Sequence, residues 1–196
     1  MFANRYTVFI DACSLADVLR RDILLTLAEG EFFRLQWSAE VMAETEKALA
    51  TIFAKKGVAD APSTAATQCE RMRVAFPEAM VDEFQNYMPS ADGLPDPDDR
   101  HVLAAAIKAQ ASTIVTENMK DFPAAVLAPL GIEAKTADEF IADTIELDIG
   151  RAVAAIRRRR TKYRKPDMTA DAFLLKMEAS GLNATADILR PHIESL

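Results

Sequence analysis

Tyr6-Thr7-Val8-Phe9-Ile10-Asp11 decides how the chain is read. The run is β-branched and aromatic, apolar apart from Thr7, and ends abruptly on an acid. Such a run describes a central strand covered on both faces, as in a parallel sheet. In open α/β sheets, ligands bind at the carboxyl ends of strands, so Asp11 is a candidate site residue. Ser14 is a candidate cap for a helix to about Ala28, with Leu15, Val18, Leu19, Ile23, Leu24 and Leu27 as its stripe and Gly30 as its stop. Phe32 to Trp37 reads as a second strand. Ser38 then caps a helix from about Ala39 to Lys56, closed by Gly57. Val41, Ala48, Ile52 and Phe53 are expected to face inward there, with Glu44 on or beside that stripe and either inward or at a rim.

Val58 to Thr67 reads as a loop, Thr67 to Phe76 as a helix, and Ala79 to Val81 as a short strand. Asp96-Pro97-Asp98-Asp99-Arg100-His101-Val102-Leu103-Ala104-Ala105-Ala106 follows. Asp96 suits an N-cap and Pro97 the first helical position. Three carboxylates exceed what one helix dipole asks for. Val102, Leu103 and Ala106 lie three, four and seven residues beyond Asp99, which puts Asp99 on the inward face. A carboxylate there needs a partner or a cation. The alternative is an acidic first turn directed at water. Ser112 to Thr116 reads as a buried strand, with Asn118 and Asp121 in the loop after it. A short helical turn over Leu127 to Gly131 and a strand from Ile132 to Lys135 complete the alternation. Strands alternating with helices predict an α/β fold with a parallel central sheet flanked by helices.

Past Ala137 the pattern is helical, and we place a boundary between a domain over 1–144 and a small C-terminal helical annex over 145–196. Helices are expected to about Thr144 and from Ile145 to Arg160. A third is capped by Thr169 and stopped by Gly181, and a last one is capped by Asn183. The final two are short and amphipathic, so they bury their apolar sides either on the domain or against a partner. Net charge over the 196 residues is −7, yet Arg157 to Lys165 holds seven of the 23 basic residues, and the other 16 stand against 30 acidic ones. That basic run contacts RNA phosphates, meets an acidic partner, or is a solvated helix end. Two cysteines in no metal-like spacing suggest reduced thiols and a cytoplasmic protein. No apolar run approaches a membrane span. Cys13 reads as a packing residue, and His101 and His192 read as structural.

Strand ends and helix starts thus deliver Asp11, Asp99 and the Asn118/Asp121 loop, with Glu44 from a fourth element. Gathered carboxylates repel unless a cation joins them. Oxygen-only ligands select Mg²⁺, or Mn²⁺, over zinc. Such ions activate water and hold a phosphodiester for in-line attack. There is no P-loop, no dinucleotide glycine fingerprint and no nucleophile elbow.

Four blocks carry a family resemblance: Phe9 to Leu15, Trp37 to Glu44, Asp96 to Ala106, and Ile114 to Pro123. In this order they resemble a PIN-domain ribonuclease of the VapC toxin type, in its longer variety with a helical C-terminal extension. The resemblance implies a PIN-like three-layer fold and a Mg²⁺-dependent endoribonuclease that inhibits translation as the toxin of a type II toxin–antitoxin system. It implies Asp11, Glu44 and Asp99 as catalytic and metal-binding acids, with Asn118 or Asp121 as the fourth ligand and Asp96 beside them. The expected partners are RNA, a cognate antitoxin protein and a second copy of the chain, with no membrane. The rival reading is a catalytically weak PIN scaffold that binds RNA or protein without cleavage. A second rival is a phosphatase-like hydrolase of small phosphate esters. Cys13 departs from the Asn or Ser usual at its position.

Overall fold

The computed structural model describes residues 6–163 and 168–196; Arg164, Lys165 and Pro166 of the basic run and its end lie outside them. Strand β1 (Thr7–Ile10) is followed by helices α1 (Ala12–Ala16) and α2 (Val18–Glu29), then β2 (Arg34–Gln36), α3 (Ala39–Lys55) and α4 (Ala61–Ala75). After a stretch of 3-10 turns come α5 (Arg100–Lys108), β3 (Thr113–Val115), α6 (Ala124–Leu127) and β4 (Glu133–Lys135). Helices α7 (Ala137–Leu147), α8 (Ile149–Arg160), α9 (Ala170–Ala179) and α10 (Asn183–Leu189) complete the order.

Among the described residues, four strands form one parallel sheet in the order β2-β1-β3-β4. Val8, Phe9 and Ile10 are fully buried, as a strand covered on both faces requires. The chain leaves β1 toward β2 and later returns to β1's other side as β3. The β1/β3 pair is therefore the point where strand order reverses, the place where open α/β sheets put ligand sites at the carboxyl ends of their strands. Asp11 ends one strand and Thr116 follows the other.

Several local expectations are corrected. The helix after β1 is broken at Asp17, whose carboxylate caps α2 by accepting from the Leu19 and Arg20 amides at 3.0 and 2.9 Å. Ser14 is no cap: it is buried and donates to the Val115 carbonyl, while Asp11 caps α1. Arg21, buried, donates at 2.6 Å to the Leu15 carbonyl that the break leaves without a helical partner. The expected loop over 58–67 is mostly helix, since α4 begins at Ala61. Pro62 sits in its first turn, where a missing N–H costs nothing. Its buried residues Ala61, Ala65, Cys69 and Met72 are small enough at first to lie close against α3. The strand expected near Ala79 reduces to a single parallel bridge between Trp37 and Met80.

The annex packs back onto the domain. Phe173, Leu174, Met177, Leu182 and Leu189 are buried, and α10 and α8 lie against α7 and α2 respectively. Asn183 does not cap α10. Its Ala184 and Thr185 amides bond instead to Asp138 of α7, both at 2.9 Å, so the cap comes from 46 residues away. Residue 145 falls inside α7, whose apolar face runs unbroken through Phe140, Ile141, Thr144 and Ile145. Leu147, expected among the apolar set, is 75% exposed.

The basic run divides. Arg159 pairs with Asp22 at 2.6 Å and lies over the Tyr163 ring. Arg160 bonds the Met168 and Leu196 carbonyls. These two staple the annex, whereas Arg157, Arg158 and Lys162 are exposed.

Candidate acidic site at the strand ends

Asp11 is only 4% exposed, and its carboxylate is held as an acceptor on every side. The Ala12 amide donates at 2.6 Å, the Thr116 hydroxyl at 2.7 Å and the Cys13 thiol at 3.0 Å. The Cys13 sulfur in turn accepts from the Glu117 amide at 3.1 Å. Burial, and then the Asp11 charge, push the Cys13 thiol up to about 11. It is a neutral donor near pH 7 and a poor nucleophile. Cys13 and Thr116 thus orient Asp11, a role that the sequence reading missed. The signal was available in Thr116, a hydroxyl at a strand end beside a strand-end acid.

Asp99 stands where a 3-10 turn, Pro97–Asp99, passes into α5, and it is half-buried. Asp96 caps that turn by accepting from the Asp98 amide at 2.9 Å. Carboxylate oxygens of Asp96, Asp99 and Asp121 lie within 4.8 Å of one another. Burial, together with the charges of Asp11, Asp121 and Asp96, pushes Asp99 up to about 6, against a weaker opposing effect of His101. The four aspartates therefore share one electrostatic environment. Asn118 lies exposed at the loop's start, with its amide donating to Thr116 Oγ1 at 3.0 Å. Of the two residues considered for the fourth position, Asp121 joins the cluster.

Glu44 is exposed and stands outside that trio. The buried face of α3 runs through Val41, Met42, Thr45 and Leu49 rather than Ala48 and Ile52, which turns Glu44 to the rim. There it meets His101 Nε2 at 3.0 Å, two residues beyond Asp99. Among the described residues, His101 Nδ1 is buried without a partner. Asp98 is exposed and outside the cluster.

The chemistry of this donor set suits a hard divalent cation. The donors are all oxygen and crowded, and burial together with their mutual repulsion weakens the acidity of Asp99.

This acidic cluster at the switch point of a parallel α/β sheet stands where such folds bind ligands. The chain belongs to the PIN domain family, whose profile matches residues 7–120. Residues 137–191 match the VapC50 C-terminal domain. Among relatives, the Mycobacterium tuberculosis (strain ATCC 25618 / H37Rv) protein named "Putative ribonuclease VapC50" is 40% identical over 76 residues. That match spans 39% of this chain and 45% of the relative. No solved structure gives a significant match.

Proposed function

We propose that this chain is a Mg²⁺-dependent endoribonuclease, with Mn²⁺ as a substitute ion, acting in the cytosol as the toxin of a type II toxin–antitoxin pair and inhibiting translation by RNA cleavage. The observation that carries the reading is the gathering of Asp96, Asp99 and Asp121 around one point, with Asp11 close enough to raise Asp99. The PIN family membership and the relative's printed ribonuclease name support it. A small antitoxin protein is the expected partner.

Asp96, Asp99 and Asp121 would hold the ion, which supplies an acidified water and positive charge for the phosphodiester oxygens. Asp11 Oδ2, fixed by Thr116 and Cys13, orients that centre. Asp99, at the centre of the cluster, would take the proton from the attacking water. Glu44, steadied by His101, adds negative charge at the rim and helps fix the ion. Purified protein should cut single-stranded or looped RNA with Mg²⁺ and stop when EDTA is added. Cleavage that survives chelation would remove the metal from the reading. RNA binding without any cleavage would support the scaffold reading instead. For the fourth position, Asp121→Asn should weaken Mn²⁺ binding at least tenfold, ~1.4 kcal/mol, and Asn118→Ala should leave it within twofold.

Arg157, Arg158 and Lys162 form the exposed part of the basic run and are proposed to meet RNA phosphates. Arg157→Ala combined with Arg158→Ala should lower the slope of log affinity against log salt by about 0.7 per lost contact on single strands. An unchanged slope assigns these cations elsewhere.

A further inference from the structure

Glu117 follows Thr116 directly, so its backbone is shared with the groups that orient Asp11. Its amide donates to Cys13 Sγ at 3.1 Å, and Cys13 and Thr116 supply two of the three donors on Asp11. What holds Glu117 therefore bears on two of the three donors that orient Asp11. The Glu117 side chain is clamped on both oxygens. Oε1 accepts from the Ala137 amide at 3.1 Å and lies 3.5 Å from the Ser14 hydroxyl oxygen. Oε2 faces Arg20 Nη1 at 3.4 Å.

Arg20 is itself aimed by the annex. Its Nε and Nη2 both donate to the Ser180 carbonyl, at 3.2 and 3.1 Å, at the end of α9. The chain turns away there through Gly181 at φ +79°, where an added Cβ would stand 3.5 Å from Arg20 Nη2. A planar guanidinium can place two N–H groups on one carbonyl and a third on a carboxylate; an ammonium cannot. The Arg20 and Glu117 side chains are 23% and 29% exposed, and pairs so open to solvent add little stability. Their consequence is geometric.

We propose that Arg20 and Glu117 are positioning residues of the acidic site, and that the C-terminal helices act on it through them by supplying the Ser180 carbonyl. This rests on the metal site proposed above. The test compares Arg20→Ala, Arg20→Lys and Glu117→Gln with Asp138→Ala, which cuts a different tie of the annex, the α10 cap. Mn²⁺ affinity is read by electron paramagnetic resonance, alongside kcat, KM for RNA and Tm. Arg20→Ala and Glu117→Gln should weaken Mn²⁺ binding several-fold, less than the tenfold or more lost with a direct partner of a metal ligand. In both, kcat should fall while KM for RNA holds, and Arg20→Lys should restore neither. Asp138→Ala should lower Tm with Mn²⁺ affinity unchanged. Unchanged Mn²⁺ affinity in both Arg20→Ala and Glu117→Gln overturns the proposal and leaves Arg20 as a tie only. If Arg20→Ala fails to fold, the isosteric Glu117→Gln decides alone. Wild-type protein that binds no Mn²⁺ overturns the metal site and this inference together, whereas wild-type binding with indifferent variants overturns this inference alone.

Discussion

Asp99→Asn is expected to abolish RNA cleavage to within a few hundredths of a per cent to a per cent of wild type while making the metal-free protein more stable. The loss follows from removing both a ligand and the proton acceptor at the centre of the acidic cluster, several kcal/mol of transition-state stabilisation. The gain has the opposite origin. Asp99 is raised to about 6 because burial and the charges of Asp11, Asp121 and Asp96 disfavour its ionised form. A carboxyl whose acidity is weaker folded than unfolded holds more protons in the folded state between the two values. Metal-free stability should therefore fall as pH rises from about 4 to about 6, and stay lowered above that. Discounted for partial exposure, the penalty is on the order of 1 kcal/mol. Asp99→Asn should remove this pH dependence, and saturating Mg²⁺ should suppress it in the wild type. Chemical denaturation at pH 4.5 and 7 with EDTA measures it. An Asn variant no more stable than wild type at pH 7 would show that the acids are already reconciled without a cation.

Phe173→Ala is expected to destabilise the chain by about 3–5 kcal/mol, the range for deleting a buried aromatic ring. Phe173 is fully buried, 6.2 Å from the Tyr163 ring, among Leu174, Met177, Leu182 and Leu189. Against a typical total stability of about 5–15 kcal/mol, that loss is a large fraction. Thermal melting should show a drop of about 6–20 °C. Removal of everything beyond Lys165 should be worse, since it strips α10 from α7 and the last turns of the chain from α8 at once. A soluble truncated chain with unchanged Tm would show that the annex only decorates the domain. The sequence reading held open whether α9 and α10 bury themselves at home or on a partner. The structure places them at home.

Much of the fold was legible because the signals were local. The unbroken apolar run of β1 announced a strand covered on both faces, and Ser38, Thr169, Gly57 and Gly181 marked helix ends where the structure has them. Asp96, Pro97 and the apolar spacing after Asp99 placed an acid at the head of α5. Errors arose where a local signal had a competitor. Ser14 looked like a cap, but Asp11 and Asp17 on either side took that role. The run over 58–67 looked like a loop, but Ala61, Ala65 and Cys69 let α4 settle closely on α3.

Residue types and order by themselves determined that acids stand at strand ends and helix starts, because those positions follow from periodicity and capping within a few residues. Only the tertiary structure decided which acids meet. Asp96, Asp99 and Asp121 lie together because strand order reverses between β1 and β3, bringing the loop after β3 against the start of α5. Glu44 went to the rim because packing against α4 chose Val41, Thr45 and Leu49 as the buried face, and periodicity alone tolerates that rotation. The donors on Asp11 come from residues 1, 2 and 105 positions away, and the cap of α10 from 46. Such pairings leave no mark in a local window, since a hydrogen bond between distant segments depends on where the core packs them, not on their neighbours in sequence.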